Sequence, residues 1–207
     1  IIRDGSIELN DSRVYTMLIN NPLIHVGGKA LMSNNKMNIE YLTGASINKI
    51  SNKQQENMNN VNVVGFIDFT RFFEPDYNLV VNSINRKNIY VEAIPIDLNG
   101  NVDSLNISII GRDTVSIFGT IEAVDATLFH EFISEDIGSM LTSDDGVVMS
   151  YSFNIPIKDE GKFQNSQVDA IMIGEISLSK IGNQFWNIGG EVYIEDGSIL
   201  SFKDNFT

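Results

Sequence analysis

The chain contains no cysteine, few prolines, and only 14 basic residues against 27 acidic ones. Without cysteine it can form no disulfide, thiolate metal site or cysteine nucleophile. A net charge of −13 with no basic stripe argues against nucleic acids and anionic membrane surfaces as partners. No run reaches the roughly 18 apolar residues that a membrane-spanning helix needs. Residues 1–5 lack the basic start and apolar core of a signal peptide, and we expect the chain to be a fragment of a longer protein.

Apolar and polar residues alternate with period two along most of the chain, which predicts strands with one apolar face. The clearest runs are residues 105–109, 115–123, 168–178 and 186–194. Turns rich in Asn and Gly separate them, as tight hairpins require. Because helical crossovers are scarce, we predict an all-β fold built on a mostly antiparallel sheet.

Two segments interrupt the alternation. Residues 127–141 place apolar side chains at helical spacing and predict one short amphipathic helix that covers part of the sheet. Residues 48–62 are polar and rich in Asn and Gln, which predicts a loop or linker. This segment divides the chain into an N-terminal part of the sheet, residues 1–47, and a longer β-sheet domain, residues 63–207.

Groups suited to catalysis or metal binding are few. His25 and His130 are the only histidines, and neither has ligand spacing around it. The acidic pairs at 135–136 and 144–145 lack the spacing of a calcium loop and are interpreted as solvated turns. No phosphate loop, nucleophile elbow or zinc motif is present. We therefore expect no enzymatic activity, no catalytic residue, no metal site and no cofactor.

The last third of the chain carries a family resemblance, in the run from Ser152 to Phe206. The residues that carry it are Ala170, Gly174, Ile176 and Leu178 in one strand motif, and Gly190, Val192, Ile194, Gly197, Ile199 and, one residue late, Phe202 in the next. Residues 109–121 and 4–9 are similar to a recurrent unit of the same kind. In these motifs the chain resembles the C-terminal domain of the TamB family. Residues 48–62 have no counterpart in that domain.

The resemblance implies an elongated, curled, taco-like β-sheet groove with an apolar interior. It implies a periplasmic segment of a cell-envelope protein that is anchored in the inner membrane. The implied function is phospholipid transfer between the inner and outer membranes, together with outer-membrane protein assembly. The implied partners are phospholipid acyl chains and an outer-membrane barrel protein of the TamA type, and no nucleic acid.

The alternating face and the resemblance together predict which residues line the groove and bind lipid. They are Leu105, Ile107, Ile109, Val115, Ile117, Ile121, Val168, Ala170, Met172, Ile176, Trp186, Ile188, Val192 and Ile194. Small residues such as Gly174 and Gly190 are expected to leave room for acyl chains. A charge at Ile117 or Ile188 is expected to block lipid more than it unfolds the sheet.

Two other functions stay open at this point. The sheet could be a scaffold whose edge binds strands of outer-membrane barrel clients. It could also be a plain β-sandwich or solenoid that serves as a binding or adhesion module.

Overall fold

The computed structural model describes residues 4–16, 18–46, 59–84, 89–129, 147–165 and 167–200. The strands are β1 Gly5–Val14, β2 Leu23–Ser33, β3 Lys36–Ala45, β4 Val61–Asp68, β5 Asp76–Ser83, β6 Ile89–Ala93, β7 Leu98–Gly111, β8 Thr114–Phe129, β9 Val148–Gln164, β10 Val168–Ile181, β11 Asn187–Ile194 and β12 Ile199–Leu200. One 3-10 turn, Ile94–Ile96, joins β6 to β7. The predicted all-β fold is confirmed.

The strands form one sheet in the order β1-β2-β3-β4-β5-β7-β8-β9-β10-β11. The strand β6 pairs with the first part of β7, and β12 pairs with the first residues of β10. The pairing is mostly antiparallel, as expected. Among the described strands, β8 and β9 form the one parallel pair.

The predicted helix is wrong where the structure describes it. Residues 127–129 continue β8, which pairs with β7 as far as Leu128. The reason is that Ala126 and Leu128 also fit period two, and both side chains are buried in the core. The rest of the predicted helix, residues 130–141, lies outside the described residues.

The polar segment at 48–62 ends earlier than predicted. Residues 61–62 open β4, where Val61 is buried and pairs with Gly44 of β3. Residues 48–58 lie outside the described residues. Because β3 and β4 are direct neighbours, the sheet runs without interruption from the strands before this segment to those after it.

The sheet curls so that one face becomes an interior. At one end, the segment before β2 reaches β6, where the Asn20 amide donates to the Glu92 carbonyl at 2.9 Å. At the same end, the Tyr90 amide of β6 donates to the Ser46 carbonyl just after β3, at 3.3 Å. Although β3, β4, β5 and β7 separate β2 from β6 in the sheet order, these contacts bring the two together. The side chains enclosed there include Val26, Ile89 and Val102, which are fully buried.

Candidate functional site

The predicted groove residues in strands share one face of neighbouring strands. Leu105 of β7 lies opposite Ile121 of β8, and Ile109 lies opposite Ile117. On the far side, Met172 of β10 pairs with Ile194 of β11. Because side chains directly opposite each other point to the same face, the registers place these residues on the inner face of the sheet.

In the middle of the sheet, this face is closed by its own side chains. The predicted residues buried there are Leu105, Val115, Ile117, Ile121, Ala170, Met172 and Ile176. Ile107, Ile109 and Trp186 are partly buried against the same core, and Val168 is partly exposed. We call this region, the inner face of β7 to β10, the packed floor.

The face is open at β11. Every residue of β11 is exposed, including the three predicted residues Ile188, Val192 and Ile194, which we call the open strip. The open strip borders the packed floor directly, since Leu178 of β10 pairs with Ile188. The apolar face therefore passes from a filled interior to a surface that a ligand can touch.

Trp186 lies in the turn between β10 and β11 and marks one end of the inner face. Its ring centre is 5.8 Å from that of Tyr151 in β9, with the rings tilted. The ammonium of Lys180 lies 5.7 Å from the centre of the Trp186 ring. Burial raises the pKa of the Tyr151 hydroxyl above its ordinary value, so this hydroxyl stays neutral around pH 7.

The set predicted from the sequence omitted the strand that lies at the centre of the packed floor. In β9, Tyr151, Phe153, Ile155 and Ile157 are all buried in the core, between the inner faces of β8 and β10. The signal was present as strict alternation over residues 151–157. Pro156 weakens that signal, because proline is normally confined to edge strands.

Glycine occurs on the inner face for a reason other than the expected one, which was to leave room for acyl chains. Gly174 has φ of +135° and Gly190 has φ of +123°, a region that residues with a side chain rarely adopt. A Cβ built at Gly174 would overlap the carbonyl oxygen of Glu191, and one at Gly190 would overlap that of Glu175. Close approach of neighbouring backbones, rather than room for a ligand, therefore requires glycine at these positions.

Other candidate groups do not assemble into a site in the described part of the chain. His25 contacts Asp11, with 2.6 Å between Nδ1 and Oδ1, and both side chains are exposed. Among the residues that the structure describes, no three His, Asp or Glu side chains come together in a way that could hold a metal ion. His130 and the acidic pairs at 135–136 and 144–145 lie outside those residues. Within the same ranges, no helix has the length and apolar character needed to cross a membrane.

The geometry defines the class: an all-β protein with one curled sheet, a packed floor and an open apolar strip at one edge. Comparisons with protein-family models, with curated proteins and with solved structures give no match to the chain. The inner face and its open edge therefore provide the chemistry from which a function can be inferred.

Proposed function

We propose that the chain is a TamB-like segment of a cell-envelope protein whose apolar inner face shields phospholipid acyl chains during transfer between the inner and outer membranes. The observation that supports this is the open strip, which extends the apolar inner face to the surface at β11. In this proposal the segment lies in the periplasm, as part of a protein anchored in the inner membrane. It acts in outer-membrane biogenesis beside a barrel protein of the TamA type.

The open strip, rather than the packed floor, is where an acyl chain would bind. Ile117 is only 3% exposed, so a ligand could hardly contact it, whereas Ile188 is 37% exposed on the same face. A charge at Ile117 was expected to block lipid more than it unfolds the sheet. Because Ile117 is buried, a charged side chain there would have no partner, and we now expect it to unfold the sheet. A charge at Ile188 remains a direct test of lipid contact.

The size of the open strip favours weak, reversible binding. If about ten methylenes of an acyl chain were half covered, the gain would be about 4 kcal/mol at about 0.8 kcal/mol for each fully buried methylene. That free energy corresponds to a dissociation constant of about 1 mM. Such an affinity suits passing a chain along the sheet better than storing it.

The acidic outer face does not oppose this function. Glu175 and Glu191 pair directly across β10 and β11 on the outer face, and both are exposed. Because side chains alternate between faces, these carboxylates point away from the open strip. An acyl chain on the inner face would contact only apolar side chains of β11.

The test is native mass spectrometry of the purified chain, with lipid extraction alongside. Because a complex with a dissociation constant of about 1 mM would not survive purification, the chain is measured in the presence of millimolar short-chain phosphatidylcholine. We expect bound phospholipid on the wild-type chain and its loss in an Ile188→Asp, Ile194→Asp variant. Tyr193→Asp is the matched control, since Tyr193 is exposed on the opposite face of the same strand. Circular dichroism and Trp186 fluorescence establish that each variant is folded. A lipid-free wild-type chain, or equal lipid loss in the control, would overturn the proposal.

A separate observation favours the client-scaffold function as a second candidate. Of the strands that the structure describes, only β10 pairs with β11, so the outer edge of the β11 backbone is free to pair with another strand. An extended client segment could add to this edge by main-chain hydrogen bonds. Proline at β11 positions whose N–H points away from β10 should reduce crosslinking to an unfolded barrel protein and leave lipid content unchanged. Undiminished crosslinking would exclude this edge as the client site.

A further inference from the structure

Four hairpin turns of the described chain lie side by side at one end of the sheet. They join β2 to β3, β4 to β5, β7 to β8 and β10 to β11. The register shows this, because Lys36 pairs with Asp68 and Asp68 with Asp76, and the following strands continue the same row. We call this end the hairpin rim, which comprises residues 33–36, 68–76, 111–114 and 181–186.

Two of these turns project aromatic side chains into solvent. Phe73 is 93% exposed and Phe72 is also exposed in the turn after β4, and Phe185 is 89% exposed in the turn after β10. Five strand spacings separate the two turns, from β4 to β10 in the sheet order, or about 24 Å along the sheet at about 4.8 Å per spacing. Phe72 and Phe73 contact each other and form one contiguous apolar patch, and an exposed patch of this kind commonly marks an interaction site.

The turn that carries Phe72 and Phe73 is ordered by its own hydrogen bonds. The Asp68 carboxylate accepts from the Thr70 amide at 2.8 Å and from the Thr70 hydroxyl at 2.5 Å. The rings of Phe72 and Phe73 contact edge to face, with centres 5.4 Å apart. The aromatic tip is therefore held outward by the turn and needs little further ordering to bind a surface.

The hairpin rim is nearly neutral, although the chain as a whole carries a net charge of −13. Its charged side chains are Lys36, Arg71 and Arg112 against Asp68, Glu74, Asp76 and Asp113. Arg71 and Glu74 pair at 3.5 Å, which neutralises the aromatic tip locally. The rest of the protein would be repelled by an anionic membrane, whereas a zwitterionic surface imposes no such penalty.

We propose that the hairpin rim docks on a zwitterionic phospholipid bilayer, with Phe72, Phe73 and Phe185 inserted at the level of the headgroups and upper acyl chains. Aromatic side chains on two separate, projecting turns suit a broad, deformable interface better than the concave pocket of a protein partner. Exposed aromatic and apolar side chains of peripheral proteins bind membranes in this way. The inference uses a different surface from the open strip and does not depend on lipid carriage by the inner face.

The test is co-sedimentation with sucrose-loaded phosphatidylcholine vesicles. We expect the wild-type chain to bind, and the Phe72→Ser, Phe73→Ser double variant to lose about tenfold in partition coefficient, the change that about 1.4 kcal/mol produces. The partition coefficient of the Phe185→Ser variant should fall by less than tenfold, because only one aromatic ring is removed. Tyr15→Ser is the control. Tyr15 is an exposed aromatic residue that directly follows β1, at the end of the sheet away from the hairpin rim.

Absence of wild-type binding would overturn the proposal, as would equal losses in the control and rim variants. Vesicles that contain phosphatidylglycerol should bind less well, and stronger binding to them would show that charge, not the aromatic tips, drives attachment. Ile194→Asp should leave vesicle binding intact, since Ile194 lies on the open strip at the end of β11 that is farther from the hairpin rim. Docking at the rim and lipid carriage on the inner face can thus fail independently.

Discussion

Replacing isoleucine with alanine at two positions on the same face tests whether the sheet is closed in the middle and open at β11. Ile121 of β8 is 2% exposed, and Ile194 of β11 is 55% exposed. The substitution removes three carbons, worth about 2.4 kcal/mol if all are buried at about 0.8 kcal/mol each. At Ile121, the cavity left behind brings the loss to about 3–4 kcal/mol. At Ile194, less than half of that surface is buried and no enclosed cavity forms, so we expect a loss of about 1 kcal/mol.

Urea unfolding followed by the fluorescence of Trp186, the single tryptophan, measures both losses. Trp186 reports on the packed floor because its ring contacts Tyr151. The midpoint should shift in each variant while the denaturant slope stays constant, as for a change in stability without a change in the surface exposed on unfolding. Equal losses at Ile121 and Ile194 would refute the distinction between floor and strip. They would mean that something covers the inner face of β11 in solution.

The backbone and the electrostatics give further predictions. Gly174→Ala should lower the free energy of unfolding by at least about 2 kcal/mol, because of its positive φ and the overlap with the Glu191 carbonyl. Gly5→Ala, where no atom lies within 4 Å, should change it by less than about 0.5 kcal/mol in the same urea experiment. The pKa of Asp68 should lie below 3.8 because the Thr70 hydroxyl and amide donate to its carboxylate, and Thr70→Val should raise it, as measured by carboxyl chemical shifts. Since the folded pKa is lowered, the stability from this group is present above pH 3.8 and is lost as the pH falls through the folded value. An unchanged Asp68 pKa in Thr70→Val would show that the hydroxyl does not cause the shift.

Alternation predicted the faces of the strands well, because a period of two assigns every second side chain to one side whatever the neighbouring strand is. Alternation could not predict how far each side chain is exposed to solvent. Ile121 and Ile194 occupy equivalent positions in similar alternating runs, but strands flank β8 on both sides and β11 on one side only, among the strands described. Local patterns also failed at residues 127–129, where helical and strand periods both fit and pairing with β7 decided between them. The parallel pairing of β8 with β9 joins distant segments and leaves no local signature.

The two proposed functions, lipid carriage and client binding, would use different groups of the same strand, and the geometry makes the two proposals compatible. An acyl chain on the open strip would contact the side chains of Ile188, Val192 and Ile194 on the inner face. A client strand would instead pair with the edge of the β11 backbone that no described strand occupies, in the plane of the sheet. If that client strand turned its own apolar residues inward, it would widen the open strip by one row rather than displace the acyl chain. Both proposed functions would therefore depend on β11 staying at the edge of the sheet, and the packed floor would hold that edge in place.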